Sequence, residues 1–103
     1  MRFGKVLDMM KAEPGTTFAR EGWNGRDMYI FLMPGGRIDP EDWTGPVECI
    51  RSEDVMQDDG TVITEHYVLV NDYLCMKTAD GSVVYGWLAS QTDMLADDWY
   101  QVA

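Results

Sequence analysis

Histidine and cysteine are scarce in this chain, and their scarcity removes several kinds of chemistry. The 103 residues contain one histidine, His66, and two cysteines, Cys49 and Cys75. A zinc site requires several such ligands, and the two cysteines lie far apart without a metal-type spacing. A Ser-His-Asp or Cys-His arrangement would have to use His66. The sequence therefore predicts no metal site, no disulfide framework and a reducing compartment.

Basic residues and long apolar runs are also few. Eight Lys and Arg stand against 18 Asp and Glu, which gives a formal net charge of −10. Because no basic stripe exists, we expect neither DNA, RNA nor an anionic membrane as a partner. No stretch approaches a membrane span, and the N-terminal segment lacks the continuous apolar run of a signal peptide.

Recognisable catalytic and cofactor motifs are missing as well. There is no Walker loop and no G-x-G-x-x-G, so the sequence predicts no cofactor. The Asp58-Asp59-Gly60 turn lacks the EF-hand ligand series. Adjacent acids such as Asp97-Asp98 are compatible with acid–base catalysis, although such pairs in polar turns are usually only solvated. The sequence argues against an enzyme.

What the chain does contain fits one α+β domain spanning residues 1–103. Four apolar side chains near the N-terminus follow the i, i+3, i+4, i+7 spacing of an amphipathic helix. They are Phe3, Val6, Leu7 and Met10. The Pro14-Gly15 pair is expected to end this helix, whose apolar stripe needs a sheet to cover.

A first β-hairpin is predicted for residues 17–23 and 26–33. The Asn24-Gly25 pair between them favours a type I′ turn, which requires positive φ at both positions. A two-residue turn pairs Trp23 with Arg26, Arg20 with Tyr29 and Phe18 with Phe31. The second strand does not alternate, so both of its faces must be covered, one of them by more of this chain or by a second copy.

A second hairpin is predicted for residues 73–79 and 82–89 around Asp80-Gly81. Its register would pair Thr78 with Val83, Met76 with Tyr85 and Leu74 with Trp87. A short helix from about Ser90 and an edge strand over residues 99–102 complete an antiparallel sheet of about five strands, packed against the N-terminal helix. Residues 34–72 read as an irregular insertion with one or two short elements, including a strand near 62–70.

Two turns carry polar groups suited to a ligand. Ser90 can cap the short helix with Asp93 in a capping-box-like pair, and Gln91 and Thr92 lie beside unpaired backbone N–H groups. The alternative is an ordinary capped helix whose Leu95 and Trp99 fill the core.

At the first hairpin tip, Trp23 beside Arg26 offers a base-stacking ring and a phosphate donor, or else a surface cation–π pair that stiffens the hairpin. Asn24 adds a polar group there. Together with the side chains of the neighbouring strands, the two turns form the candidate ligand-binding set. It comprises Trp23, Asn24, Arg26, Tyr29, Phe31, Met76, Trp87, Ser90, Gln91, Thr92 and Asp93.

Two blocks of the chain resemble the Thoeris anti-defence family, second type. They are R-E-G-W-N-G-R-D-M-Y-I-F-L at positions 20 to 32 and M-K-T-A-D-G-S-V-V-Y-G-W-L-A-S-Q-T-D-M-L-A-D-D-W at positions 76 to 99. The opening F-G-K-V-L-D-M-M-K is also similar to the first helix of that family. The matching blocks cover roughly the first and last thirds of the chain, whereas the middle matches poorly.

The resemblance implies a phage or prophage sponge that acts in the host bacterial cytoplasm. Members bind a cyclic ADP-ribose-type immune signal, glycocyclic ADP-ribose, that TIR proteins make, and some also hold cyclic dinucleotides from CBASS-type cyclases. They assemble as homotetramers with pockets between subunits, and they block effector activation without degrading the signal. The alternatives are an enzyme that degrades the nucleotide and a structural or adaptor protein without a ligand.

Overall fold

The computed structural model describes residues 1–23 and 27–103. Their contacts group into two compact units, a helix-and-sheet unit of residues 1–34 and 72–103 and a hairpin unit of residues 35–71. Together they contain a helix, an antiparallel five-stranded sheet, a second sheet of three strands and a short helix before the last strand. The predicted α+β class, with its five-stranded sheet, is confirmed.

Helix α1 spans Phe3–Ala12 and buries Phe3, Val6 and Met10. The predicted apolar spacing is therefore confirmed, with Leu7 half-buried at the edge of the stripe. The helix ends two residues before Pro14, because a residue preceding proline is restricted away from helical backbone angles.

The five-stranded sheet has the order β7-β6-β2-β1-β8. Its strands are β1 (Phe18–Arg20), β2 (Tyr29–Met33), β6 (Tyr73–Lys77), β7 (Val83–Tyr85) and β8 (Trp99–Gln101). Helix α2, Gln91–Leu95, precedes the closing strand, which lies at an edge as predicted. Ser90 caps α2 by accepting a hydrogen bond from the Asp93 N–H, as the sequence indicated.

The core lies between α1 and one face of this sheet. Phe18, Ile30 and Trp99 are almost fully buried there and pack with the apolar stripe of α1. The alternative interpretation of α2 placed Leu95 and Trp99 in the core; Trp99 is buried there, but Leu95 is 79% exposed. Ala96, the residue after α2, packs against the core in its place.

The predicted register of the first hairpin is wrong. Phe18 lies opposite Ile30, not Phe31, and the first strand ends at Arg20. The chain then enters a 3-10 helix, Glu21–Trp23, instead of continuing as a strand toward a two-residue turn. Because side chains alternate along a strand, this one-residue difference places Phe18 and Ile30 together on the core face. The predicted Asn24-Gly25 turn and the partner of Trp23, Arg26, lie outside the described residues.

The second hairpin is also shifted by one residue. Met76 pairs with Val84, whereas the sequence predicted Tyr85. The N–H of Thr78 bonds to the carbonyl of Ser82, which leaves a loop of three residues between them. Gly81 takes a φ of +93° at the end of this loop. A three-residue loop with its last residue in the left-handed region is the next commonest hairpin connection after the primed two-residue turn.

The hairpin unit is more regular than the one or two short elements expected. It contains β3 (Gly36–Ile38), β4 (Arg51–Met56) and β5 (Val62–Val70), in the order β3-β5-β4. The strand near residues 62–70 is thus confirmed. Two 3-10 helices, Pro40–Asp42 and Val47–Cys49, connect β3 to β4.

Within the described part of the chain, no helix has the length and apolar character needed to cross a bilayer.

Candidate functional site

Arg20, at the end of β1, organises the polar part of the helix-and-sheet unit. Its Nε donates to Asp98 Oδ1 at 2.9 Å and its Nη1 donates to Asp93 Oδ1 at 2.7 Å. The Arg20 side chain is only 15% exposed. Hydrogen bonding to Asp98 and then to Asp93 raises the pKa of the guanidinium, which keeps its charge at any physiological pH.

The two carboxylates around Arg20 have further partners. The second oxygen of Asp98 accepts from the backbone N–H of Gly22 at 2.9 Å. The hydrogen bond from Arg20, with help from that N–H, lowers the pKa of Asp98. The second oxygen of Asp93 accepts from the Ser90 hydroxyl at 3.0 Å. This cluster therefore joins the end of β1 to the start of α2, although 73 residues separate Arg20 from Asp93.

Three tryptophans pack edge to face beside this cluster. The Trp23 ring lies 5.3 Å from Trp99 and 6.4 Å from Trp87, both in T-shaped geometry. The Trp99 indole N–H donates to the Asp93 carbonyl at 2.9 Å. Aromatic pairs in this geometry add stability beyond the area they bury. The half-buried Trp23 thus packs against the core and also borders the surface.

A concavity of about 380 Å³ opens beside Trp23. Its lining combines the aromatic rings of Trp23 and Tyr100 with the charged side chains of Arg20 and Asp27. The described residues that line it are Ala19, Arg20, Trp23, Asp27, Met28, Tyr100 and Val102. Ligand sites in proteins are typically concave and supplied with a few fixed polar groups, and this concavity has both features.

The structure brings some of the candidate binding residues together. Trp23, Met76 and Trp87 pack against the same core face. Ser90 and Asp93 join them through the Arg20 cluster, and the exposed Gln91 and Thr92 follow in the first turn of α2.

Two other candidates lie on the opposite face of the sheet. Alternation along β2 turns Ile30 and Leu32 toward the core and Tyr29 and Phe31 away from it. The Tyr29 ring lies 6.1 Å from Phe31 and carries Lys77 Nζ 5.6 Å from its centroid. Asn24 and Arg26 lie outside the described residues, so this arrangement concerns the remaining nine candidates.

The sequence interpretation missed Arg20, Asp98 and Tyr100 as site residues. An arginine inside a short apolar strand was the available indication, because buried charges are nearly always paired. Three acids lie between residues 93 and 98 and were the possible partners, namely Asp93, Asp97 and Asp98. The pairing joins distant parts of the chain, so no local pattern reveals which of the three it uses.

Comparison with known proteins places this arrangement in a family. The family model described as the Thoeris anti-defense 2-like domain matches residues 1–102. The chain belongs to the Thoeris anti-defense 2 family. It is 32% identical over 99 residues to Thoeris anti-defense 2 of Bacillus phage SP01, covering 96% of this chain and 91% of that protein. Membership confirms the resemblance stated from the sequence and assigns this Thoeris anti-defense 2 member to phage anti-defence.

Proposed function

We propose that this protein sequesters a cyclic ADP-ribose-type immune signal, glycocyclic ADP-ribose, in the host bacterial cytoplasm and releases it unaltered. Captured signal cannot activate the effector. The observation that carries the proposal is the concavity beside Trp23, which aromatic rings and the Arg20 side chain line together. Membership of an anti-defence family supports the same conclusion. Cyclic dinucleotides are a second ligand class under this proposal.

The charge balance of the concavity indicates what else the ligand needs. Arg20 is matched by two carboxylates, Asp93 and Asp98, so this cluster has a formal charge of −1 and does not by itself attract an anion. Asp27, on another wall, pairs with Lys77 at 2.9 Å. A pyrophosphate therefore requires a further cation. Arg26, three residues after Trp23 in the sequence, is the candidate, and a neighbouring subunit is the other source.

The affinity that a sponge needs also favours more than one subunit. A nanomolar dissociation constant corresponds to about −12 kcal/mol. Ligands of this size contribute about −0.3 kcal/mol per heavy atom, so nearly the whole molecule must be buried. An open concavity on one protomer buries only part of such a ligand. We therefore propose that the pockets lie between subunits, and the homotetramer that the family resemblance implies would provide them.

Calorimetric titration with glycocyclic ADP-ribose and a panel of cyclic dinucleotides tests the site. Arg26→Ala is expected to reduce ligand affinity at least tenfold while leaving the melting temperature within a few degrees. Trp23→Phe keeps an aromatic ring against Trp99 but shrinks the stacking surface, so its affinity should fall with a smaller effect on folding. Arg37→Ala and Trp43→Ala, in the hairpin unit, are the matched controls and should bind normally. Equal losses in all four variants would contradict the proposed site.

A recovery experiment distinguishes sequestration from catalysis. The protein is mixed with the signal and then heat-denatured, and the supernatant is analysed by mass spectrometry. Intact nucleotide is expected. A hydrolysed product would instead favour an enzyme, for which the Ser52 hydroxyl at 2.9 Å from His66 Nδ1 offers the one Ser–His contact among the described residues. His66→Ala would then abolish the product. Absence of any thermal shift with every nucleotide would favour a structural protein.

A further inference from the structure

Strand β7 leaves one edge of the five-stranded sheet open. No strand within residues 1–23 and 27–103 pairs with its outer side. Its side chains are exposed and apolar, with Val83 at 48%, Val84 at 44% and Tyr85 at 72% of full exposure. Leu88, which follows, is 90% exposed. Natural sheets usually protect such edges with lysine, proline or a covering segment, because a free edge is a template for another strand.

The opposite edge of the same sheet is protected. The Met1 ammonium group donates to the Trp99 carbonyl at 2.6 Å, and the Trp99 N–H donates back to the Met1 carbonyl at 3.2 Å. Asp97 and Asp98 precede β8 and add negative charge there. The difference between the two edges makes β7 the side at which this sheet can be extended.

Charge indicates which partner suits the β7 edge. Residues 81–92 contain no charged side chain, and this is the longest such stretch in a chain of net charge −10. Copies of so acidic a protein repel each other wherever their carboxylates meet. A basic partner, by contrast, would find no electrostatic attraction at an uncharged edge. The edge that β7 presents is therefore a surface on which two copies can meet without charge repulsion.

We infer that β7 pairs antiparallel with β7 of a second copy about a two-fold axis at Val84. This inference deepens the assembly part of the proposed function and requires no ligand. Because the Ser82 carbonyl bonds to β6, alternation of the ladder turns the backbone groups of Val83 and Tyr85 outward. Val83 of each copy then lies opposite Tyr85 of the other, and each such pair exchanges both N–H···O=C bonds.

The side chains suit this pairing. An aromatic residue directly opposite a β-branched one is a favourable cross-strand pair. The Tyr85 ring already packs against Tyr73 at 5.9 Å, so pairing would cost it little further rotamer freedom. The interface is self-complementary, as a two-fold contact requires. A two-fold contact gives a dimer, and a tetramer then needs one further interface.

Intermolecular disulfide formation tests the axis directly. In a Cys49→Ser background, which removes the exposed native thiol, Val84→Cys places two thiols opposite each other at a non-hydrogen-bonded position. Cα atoms there lie about 4.5 Å apart, within disulfide range. Mild oxidation is expected to cross-link this variant nearly completely. Val83→Cys, with similar exposure, faces Tyr85 of the other copy and should remain uncross-linked. Equal cross-linking of both variants, or none in either, would overturn the inference.

Light scattering without nucleotide provides the second measurement. Val84→Lys brings two like charges together at the axis and should lower the assembled mass twofold. Leu69→Lys, on β5 at 46% exposure, is the control and should leave the mass unchanged. A wild type that stays monomeric at high concentration, or a Val84→Lys variant of wild-type mass, would contradict the pairing. A wild type that assembles as expected but binds none of the nucleotides would instead contradict the proposed function alone.

Discussion

The helix-and-sheet unit and the hairpin unit are stabilised by different means. Among the described residues, nine of the ten buried apolar side chains lie in the former and one, Val68, lies in the latter. The hairpin unit relies on cross-strand contacts at the surface, such as the Arg37 guanidinium 4.0 Å over the Tyr67 ring. Its hydrogen bonds between Thr64 and Asp54 and between Ser52 and His66 are likewise exposed.

This difference assigns the two units different expected stabilities. Burial of apolar surface is the main driving force of folding, whereas exposed polar pairs contribute little and are screened by salt. Segments with few buried contacts open first in the native state. The hairpin unit is thus the part of the protein expected to open most readily. Two predictions test that contrast, and a third concerns a property that the two units should share.

The largest expected effect is at the core. Phe18→Ala removes a fully buried aromatic side chain from β1 and should lower the free energy of unfolding by about 3–5 kcal/mol. Tyr67→Ala removes a half-exposed aromatic side chain from β5 and should cost much less. Urea titrations followed by circular dichroism measure both. If Phe18→Ala does not fold, Phe18→Leu replaces it, and similar losses at both positions would refute the contrast.

A smaller difference in stability loss is expected between substitutions at the two arginines that each pair with two acidic side chains. Removing one partner of a buried ion pair costs roughly 3–5 kcal/mol, and partial solvent access at Arg20 reduces this to about 2 kcal/mol for Arg20→Met. Arg37, which pairs with Glu53 and Glu65, is 50% exposed, so Arg37→Met should change the melting temperature little.

Salt provides the control for this pair of variants. Raising ionic strength should remove most of the small Arg37→Met effect but little of the Arg20→Met effect, because exposed charges are screened more strongly. Thermal melts at low and high salt measure both. A loss at Arg20 that disappears in high salt would show that its ion pairs behave as surface contacts.

The smallest expected effect concerns two turn aspartates, one in each unit. Hydrogen bonds from Thr78 and Ser82 lower the pKa of Asp80 to about 2. Hydrogen bonds from Thr61 lower the pKa of Asp59 as well. Both folded-state pKa values lie below the unfolded ones, so the stabilisation is present above the unfolded pKa and is lost as the pH falls through the folded value.

Carbon-detected NMR titration of the two carboxyls measures these pKa values, and Asp80→Asn should remove the acid dependence of the β6–β7 hairpin above pH 2. The pKa of the turn aspartate should be lowered in both units, because each aspartate accepts hydrogen bonds from residues of its own loop. A normal pKa at either position would show that its turn is not formed as described.

Local patterns predicted the elements that local physics determines. The spacing of Phe3, Val6 and Met10 located α1, and Ser90 with Asp93 located the start of α2. Residues 51–56 read R-S-E-D-V-M and lack an alternating apolar pattern, because β4 is stabilised by pairing with β5 and not by burial. Sequence periodicity therefore did not indicate β4, although the strand near residues 62–70 was predicted.

Register and site were harder to predict for related reasons. An Asp-Gly pair fits both a two-residue primed turn and the end of a three-residue loop, so Asp80-Gly81 did not determine which residue pairs with Met76. The Arg20 cluster joins residues more than seventy positions apart, and only the folded chain selects Asp93 and Asp98 as its partners. Both the register of the second hairpin and the partners of Arg20 are therefore set by tertiary contacts.

The shared use of Asp93 by the α2 cap and by Arg20 bears on the order of folding. A five-residue helix cannot persist alone, because its first turn costs more entropy than so few bonds return. Arg20 can contact α2 only after the chain between Arg20 and Asp93, which lie 73 residues apart in the sequence, has closed into a loop. Closing so long a loop is a slow step in folding. A fluorescent reporter on α2 should therefore respond last during refolding and serve as a gauge of the completed native state.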